Sequence, residues 1–164
     1  MAVTSQKSVE YTNATATPPV NNNTTEQHGS IRLAFFTHDQ VGTGDTGSSV
    51  ALCALPAGRV RALSSLSRAY VNWTTSSATL DLGFDAYTDL NGDAVAADPD
   101  GLVDGLSVDT VGFFTLEGAI AANLLTGGTY VFESKEGVVI RATATDNAQV
   151  AGGDLVGYIA YVQD

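Results

Sequence analysis

From Ser30 onward the chain is cut into short apolar runs separated by turn residues, a pattern that admits strands and little else. The runs cover 31–37, 50–55, 59–64, 79–86, 111–116, 130–133, 138–145 and 155–162. Each is too short to make a stable helix, and their Val, Thr, Tyr and Phe content suits a pleated, half-buried surface. Seventeen glycines against one methionine supply the turns. The expected fold is therefore all-β, an antiparallel β-sandwich over residues 30–164. Only the segment 117–125, closed by Gly127 and Gly128, reads as either a short helix or an irregular strand.

Two runs are apolar on both faces. In 155–162, Leu155, Gly157, Ile159 and Tyr161 alternate with Val156, Tyr158, Ala160 and Val162. In 31–36, Ile31, Leu33 and Phe35 alternate with Arg32, Ala34 and Phe36. Such strands are covered on both sides, either inside the domain or by another subunit. Residues 1–29 differ in kind. They are rich in Thr, Asn, Ala and Pro, with Pro18-Pro19 and Asn21-Asn22-Asn23 at the centre, and hold too few large apolar groups to offset the entropy of ordering. They are expected to form a disordered or extended N-terminal arm, free or ordered on a neighbouring subunit.

Residues 80–109 carry eight aspartates and no basic residue. They begin as a strand, with Leu80, Leu82 and Phe84 alternating with Asp81, Gly83 and Asp85, and then read as a long acidic loop. Over the whole chain 18 acids face seven bases, a formal charge of −11. That balance opposes nucleic-acid phosphates and anionic lipid head groups, so neither nucleic acid nor membrane is an expected partner. No apolar run is long enough to cross a membrane as a helix, and residues 1–19 lack the basic start and apolar stretch of a secretory signal, so synthesis in a cytoplasm is expected. Cys53, the single cysteine, sits in an apolar run and reads as a small buried hydrophobe.

Several patterns invite a chemical reading. Gly42-Thr43-Gly44-Asp45-Thr46-Gly47 matches G-x-G-x-x-G, but no helix follows and no acid stands between Asp45 and Asp81 to hold a ribose, so a glycine loop is expected. Asp89, Asn91 and Asp93 supply oxygens at the first, third and fifth positions of a calcium loop, with Asp100 at the twelfth. The turn glycine of such a loop is replaced by Ala94, and Asx turns explain the same residues. His28 and His38 are too isolated for zinc. Paired carboxylates are plentiful, yet they cluster away from aromatic residues that would stack on sugars. Arg59, Arg61 and Arg68, with Tyr70 and Trp73 nearby, are the only basic and aromatic concentration; they fit an interface, or simply the solvent side of a strand whose Val60 and Ala62 point inward. No catalytic, cofactor-binding or metal-ligating residue is assigned, no cofactor is expected, and the chain reads as a binding or assembly part that is not an enzyme.

Three phrases carry a family likeness: residues 55–61 (LPAGRVR), 86–89 (AYTD) leading to 96–102 (AADPDGL), and 132–140 (FESKEGVVI). Together they resemble small structural proteins of tailed bacteriophages, of the capsid decoration or cement type. The resemblance implies a jelly-roll-like β-sandwich. It also implies a homotrimer that binds the major capsid protein on the surface of the virion, after assembly in the host cytoplasm, and stabilises the head against internal DNA pressure. Two other readings are a non-viral β-sandwich module, stabilised by calcium and serving adhesion or carbohydrate binding, and a phage tail or head-fibre protein.

Overall fold

In the computed structural model, residues 16–18, 30–72, 76–116, 129–146 and 151–163 are described. The expected arm apart from 16–18, the 117–125 segment and Trp73 lie outside the described residues.

Alternation along each run becomes alternation of burial. Val60 and Ala62 of strand Gly58–Leu63 are fully inside, as are Val138, Ile140, Ala142 and Ala144 of Val138–Ala144. The described residues form twelve strands: β1 (Ile31–Asp39), β2 (Ser49–Leu55), β3 (Gly58–Leu63), β4 (Arg68–Val71), β5 (Thr79–Phe84), β6 (Tyr87–Thr88), β7 (Ala94–Val95), β8 (Asp98–Ser107), β9 (Gly112–Thr115), β10 (Thr129–Ser134), β11 (Val138–Ala144) and β12 (Asp154–Gln163). Every pairing is antiparallel.

The pairings nest. The first strand pairs with the last, β2 with β11, β3 with β10, β4 with β9, β5 with β8, and β6 with β7. The chain is thus one long two-stranded ribbon, folded back at the Asp89–Asp93 turn between β6 and β7 and then rolled up. Rolling brings β12 against β3 and β4, and β11 against β5, which closes a six-stranded sheet ordered β10-β3-β12-β4-β9 with β1 also on β12, and a four-stranded sheet ordered β2-β11-β5-β8. That winding is the jelly roll. Leu55, Leu80, Leu82, Phe132, Ile140, Leu155 and Ile159 fill the space between the sheets, and at one end Phe84 meets Phe132 edge-on at 5.1 Å, with Tyr87 and Tyr130 packed around them.

Two local devices make the roll possible. The ribbon passes from one sheet to the other at residues 56–57 and 135–137, where Gly137 has φ +95° and a Cβ on it would stand 2.5 Å from the Leu55 carbonyl oxygen. Only glycine fits that corner. Between β3 and β4 a 3-10 turn, Ser64–Leu66, interrupts the ladder along β12. Buried Ser67 repairs the gap: its Oγ donates to the Leu63 carbonyl at 2.9 Å and accepts from the Ala160 N–H at 2.9 Å.

One expectation is corrected. The acidic segment is not a loop throughout, because Asp98–Ser107 is a ten-residue strand on β5. Its aspartates, glycines and Pro99 hide the strand signal. Between the Leu82–Val103 and Phe84–Asp98 pairs the register bulges, and the backbone of Asp98 and Pro99 closes on Gly83, where a Cβ would lie only 2.0 Å from the Asp98 oxygen. Pairing and the burial of Leu102 and Val103 override composition here.

Candidate functional site

The outer faces of the two sheets differ in chemistry. On the four-stranded sheet the outward side chains include a bonded polar set beside the small apolar Ala51, Ala54 and Val139. Arg141 grips Asp85 with two hydrogen bonds, Nε to Oδ1 at 2.6 Å and Nη2 to Oδ2 at 2.7 Å, and reaches Ser49 Oγ at 3.2 Å. The guanidinium holds the Asp85 carboxyl below the usual carboxylate range. Asp81 accepts the Gly105 N–H, and Thr79 bonds Thr145 and Asp146.

The six-stranded sheet turns an apolar face outward. Register sets Phe35 on β1 opposite Tyr158 on β12, which lies opposite Arg68 on β4; the next row runs Val156, Tyr70, Phe113 across β12, β4 and β9. Phe35 and Tyr158 meet edge-on at 5.7 Å, and Tyr70 and Phe113 tilt together at 5.1 Å. Phe35 is 70% exposed and Phe113 82% exposed, with Ile31, Leu33 and Val156 also exposed on this face. The rings border an open groove of about 240 Å³, with Arg68 at its side bonding Thr115 Oγ1 at 2.7 Å. Because neighbouring rings stand at 64° and 52° to each other, they make a ridged surface and not the flat platform that stacks on a sugar ring. Such a surface matches the aromatic cores of protein interfaces.

The two-faced runs in the sequence located half of this face. The expectation of cover on both sides resolves strand by strand: Leu155 and Ile159 of β12 point into the core and Ala160 and Val162 are also buried, whereas Val156 and the outward residues of β1 stand open. What sequence alone did not reveal is that β4 and β9, 43 residues apart (113 less 70), bring Tyr70 and Phe113 to the same face. Arg59, Arg61 and Arg68 lie on this sheet too, while Val60 and Ala62 point inward, as the strand pattern required. Arg59 on β3 approaches Glu133 on the paired β10 at 3.6 Å.

The other sequence motifs fall elsewhere. Gly42 to Gly47 form a turn leading into β2, so the glycines open a strand where a phosphate cradle would open a helix. Asp89 caps its own turn, its Oδ1 accepting the N–H groups of Gly92 and Asp93 at 2.8 Å each. Those bonds hold its carboxyl below the usual range and occupy the oxygen that a calcium loop would need first. Among the described residues no three His, Cys, Asp or Glu side chains converge as metal ligands would. Asp98 shares a hydrogen bond with Asp100, which raises its pKa. His38 bonds Gln40. Burial pushes the Cys53 thiol up to about 11, so it is no thiolate nucleophile. Between the sheets, a void of about 10 Å³ beside Ser64 and Ser67 is at most the size of one water.

Two solved phage capsid structures contain chains of this fold. The capsid of Ralstonia phage GP4 has a chain with a TM-score of 0.58 at 16% identity, and the capsid asymmetric unit of cyanophage Pam1 one with a TM-score of 0.52 at 13% identity. Each match covers 83% of this chain and 86% of the other. No protein-family model and no curated protein matches the sequence. The three phrases that carried the phage resemblance come together in space. Residues 55–61 and 132–140 are the two sides of the ribbon corner, Leu55 opposite Val138 and Gly58 opposite Ser134, and the Asp89 turn bridges to Ser134.

Proposed function

We propose that this chain is a non-enzymatic structural protein of a phage head, which binds the major capsid protein on the outside of the shell and stabilises it as a homotrimer. The observation that carries the reading is the fold likeness to chains of two phage capsid structures, over 83% of this chain and 86% of each of theirs. The unequal faces support it: a body of charge −11 stays soluble, while one aromatic face is left to make contacts. Three copies of a modest interface add through avidity, so a trimer holds a shell where one subunit would not. Residues 1–29 act as an arm that lies across a neighbouring subunit.

Purified protein added to undecorated capsids tests this. It is expected to co-sediment with them, and to remain bound at salt near 1 M, where the Debye length of about 3 Å screens a purely electrostatic contact. Failure to bind sinks the reading.

A further inference from the structure

We infer that the aromatic face of the six-stranded sheet, centred on Phe35, Tyr70, Phe113 and Tyr158, is where a second copy of this chain docks. The inference rests on the self-associating shell protein proposed above and adds the surface. Charge selects the occupant. Two bodies at −11 repel, so copies can approach closely only where the acids are withdrawn. Among the described residues, acids on the outward side of this sheet stand at its ends, Glu133 at one and the opposed pair Asp39 and Asp154 at the other. Three of the five arginines, Arg59, Arg61 and Arg68, lie between or beside them. The acids from Asp81 to Asp104 belong to the other sheet and to the ribbon's tip, and Asp109 lies in the connection from β8 to β9.

Size agrees. Nine residues of β1 by four strands give the whole outward face roughly 27 by 14 Å, about 400 Å² in projection; the aromatic rows fill its β4–β9 half, and a protein's largest apolar patch, a few hundred Å², is often functional. β1 adds a second reason. It is a nine-residue strand paired with β12 without a register shift, it contains no proline, and it presents Ile31, Leu33 and Phe35 at alternate positions. Its charged residues are Arg32 and Asp39, one near each end, and an edge so lightly protected sticks to another chain unless a specific neighbour covers it. Isolated copies are therefore expected to associate through this face before any shell is present.

Analytical ultracentrifugation of the full chain at tens of micromolar provides the test, with Phe113→Glu as the probe and Val41→Glu, 91% exposed in the β1–β2 loop, as the control. The wild type and Val41→Glu should sediment as the same oligomer, and Phe113→Glu should associate at least tenfold more weakly with an unchanged far-UV spectrum. Phe113→Ser serves if the glutamate does not fold. A wild-type monomer, or undiminished association of the folded variants at position 113, overturns the inference. A wild-type monomer that binds capsids and loses that binding with Phe113→Glu would assign the face to the capsid protein and overturn it too, while leaving the capsid-binding part of the proposed function standing. An oligomer weakened as expected that ignores capsids would do the reverse.

Discussion

Ser67 shows how much one small side chain carries. It is buried and serves both strands at the point where the ladder between them is broken, so removing its hydroxyl strands the Ala160 N–H and the Leu63 carbonyl. Ser67→Ala is expected to cost about 1–3 kcal/mol, the desolvation penalty of buried groups left without partners, and denaturant unfolding would measure it. Ser67→Thr keeps the oxygen but adds a methyl beside packed Leu116 and Ile159, so recovery should be partial. Two carboxylates pull stability in opposite directions with pH. Arg141 lowers the Asp85 pKa, so this pair stabilises the fold above the ordinary carboxylate range, and that contribution disappears as pH falls through the depressed value. Asp98 is raised by its hydrogen bond to Asp100, so its contribution is present below the unfolded pKa and lost as pH rises through the folded value. Hence at pH 7 Asp100→Asn should leave stability equal or higher. Arg141→Ala should lower it by about 1 kcal/mol, since the pair is about a third exposed and partly screened. Melting points compared at pH 7 and pH 3 would check both signs, and a lower melting point for Asp100→Asn at pH 7 would contradict the second.

At the scale of elements, the strands visible in the sequence are those whose alternation survives their polar residues. All eight runs read from pattern coincide with strands, with ends displaced by no more than two residues. β4 was hidden because Arg68-Ala69-Tyr70-Val71 is four residues long and its arginine and tyrosine read as an interface cluster. β8 was hidden because its partner, and not its composition, makes it a strand. The nested order of pairing was illegible for a further reason: a sequence shows which residues face one way, while the choice of partner depends on contacts far apart along the chain, such as Ile31 with Val162. The aromatic face inherits that limit, being assembled from four strands distant in sequence. Corner residues state the requirement most sharply. Gly137 and Gly152 both have positive φ, but a Cβ at 137 meets the Leu55 oxygen whereas one at 152 meets nothing within 4 Å. Gly152→Ala is expected to cost only the backbone strain of about 1 kcal/mol, and Gly137→Ala distinctly more, because the ribbon must open at its corner. Equal losses in thermal unfolding would show that the corner is not tightly held.

For the whole molecule, a single ribbon rolled into two sheets leaves, among the described residues, only a void of about 10 Å³ between the sheets, and there recognition falls to the surfaces. The polar sheet, tied by Arg141 and Asp85, can face water; the aromatic sheet leaves large rings open. The 29 residues before Ser30 extend that logic, because they precede β1, the edge strand of the aromatic face. Fully extended they span roughly 95 Å, against a radius of gyration of about 14 Å expected for the 135 residues that follow (164 less 29). The arm proposed above would have the reach to cross a neighbouring subunit completely. Its charges, Lys7, Glu10 and Glu26, nearly cancel, so the acidic body does not repel it strongly. Limited proteolysis of the free protein should therefore remove residues up to about 29 and leave a folded remainder, since segments poor in core-forming side chains are the first to be cut. The trimmed protein, mixed with undecorated capsids, is expected to bind more weakly than the intact chain because each subunit has lost one of its linked contacts. Resistance of the arm in the free protein would mean that it is already part of the body. Unchanged capsid binding after trimming would mean that the sandwich alone makes the contact.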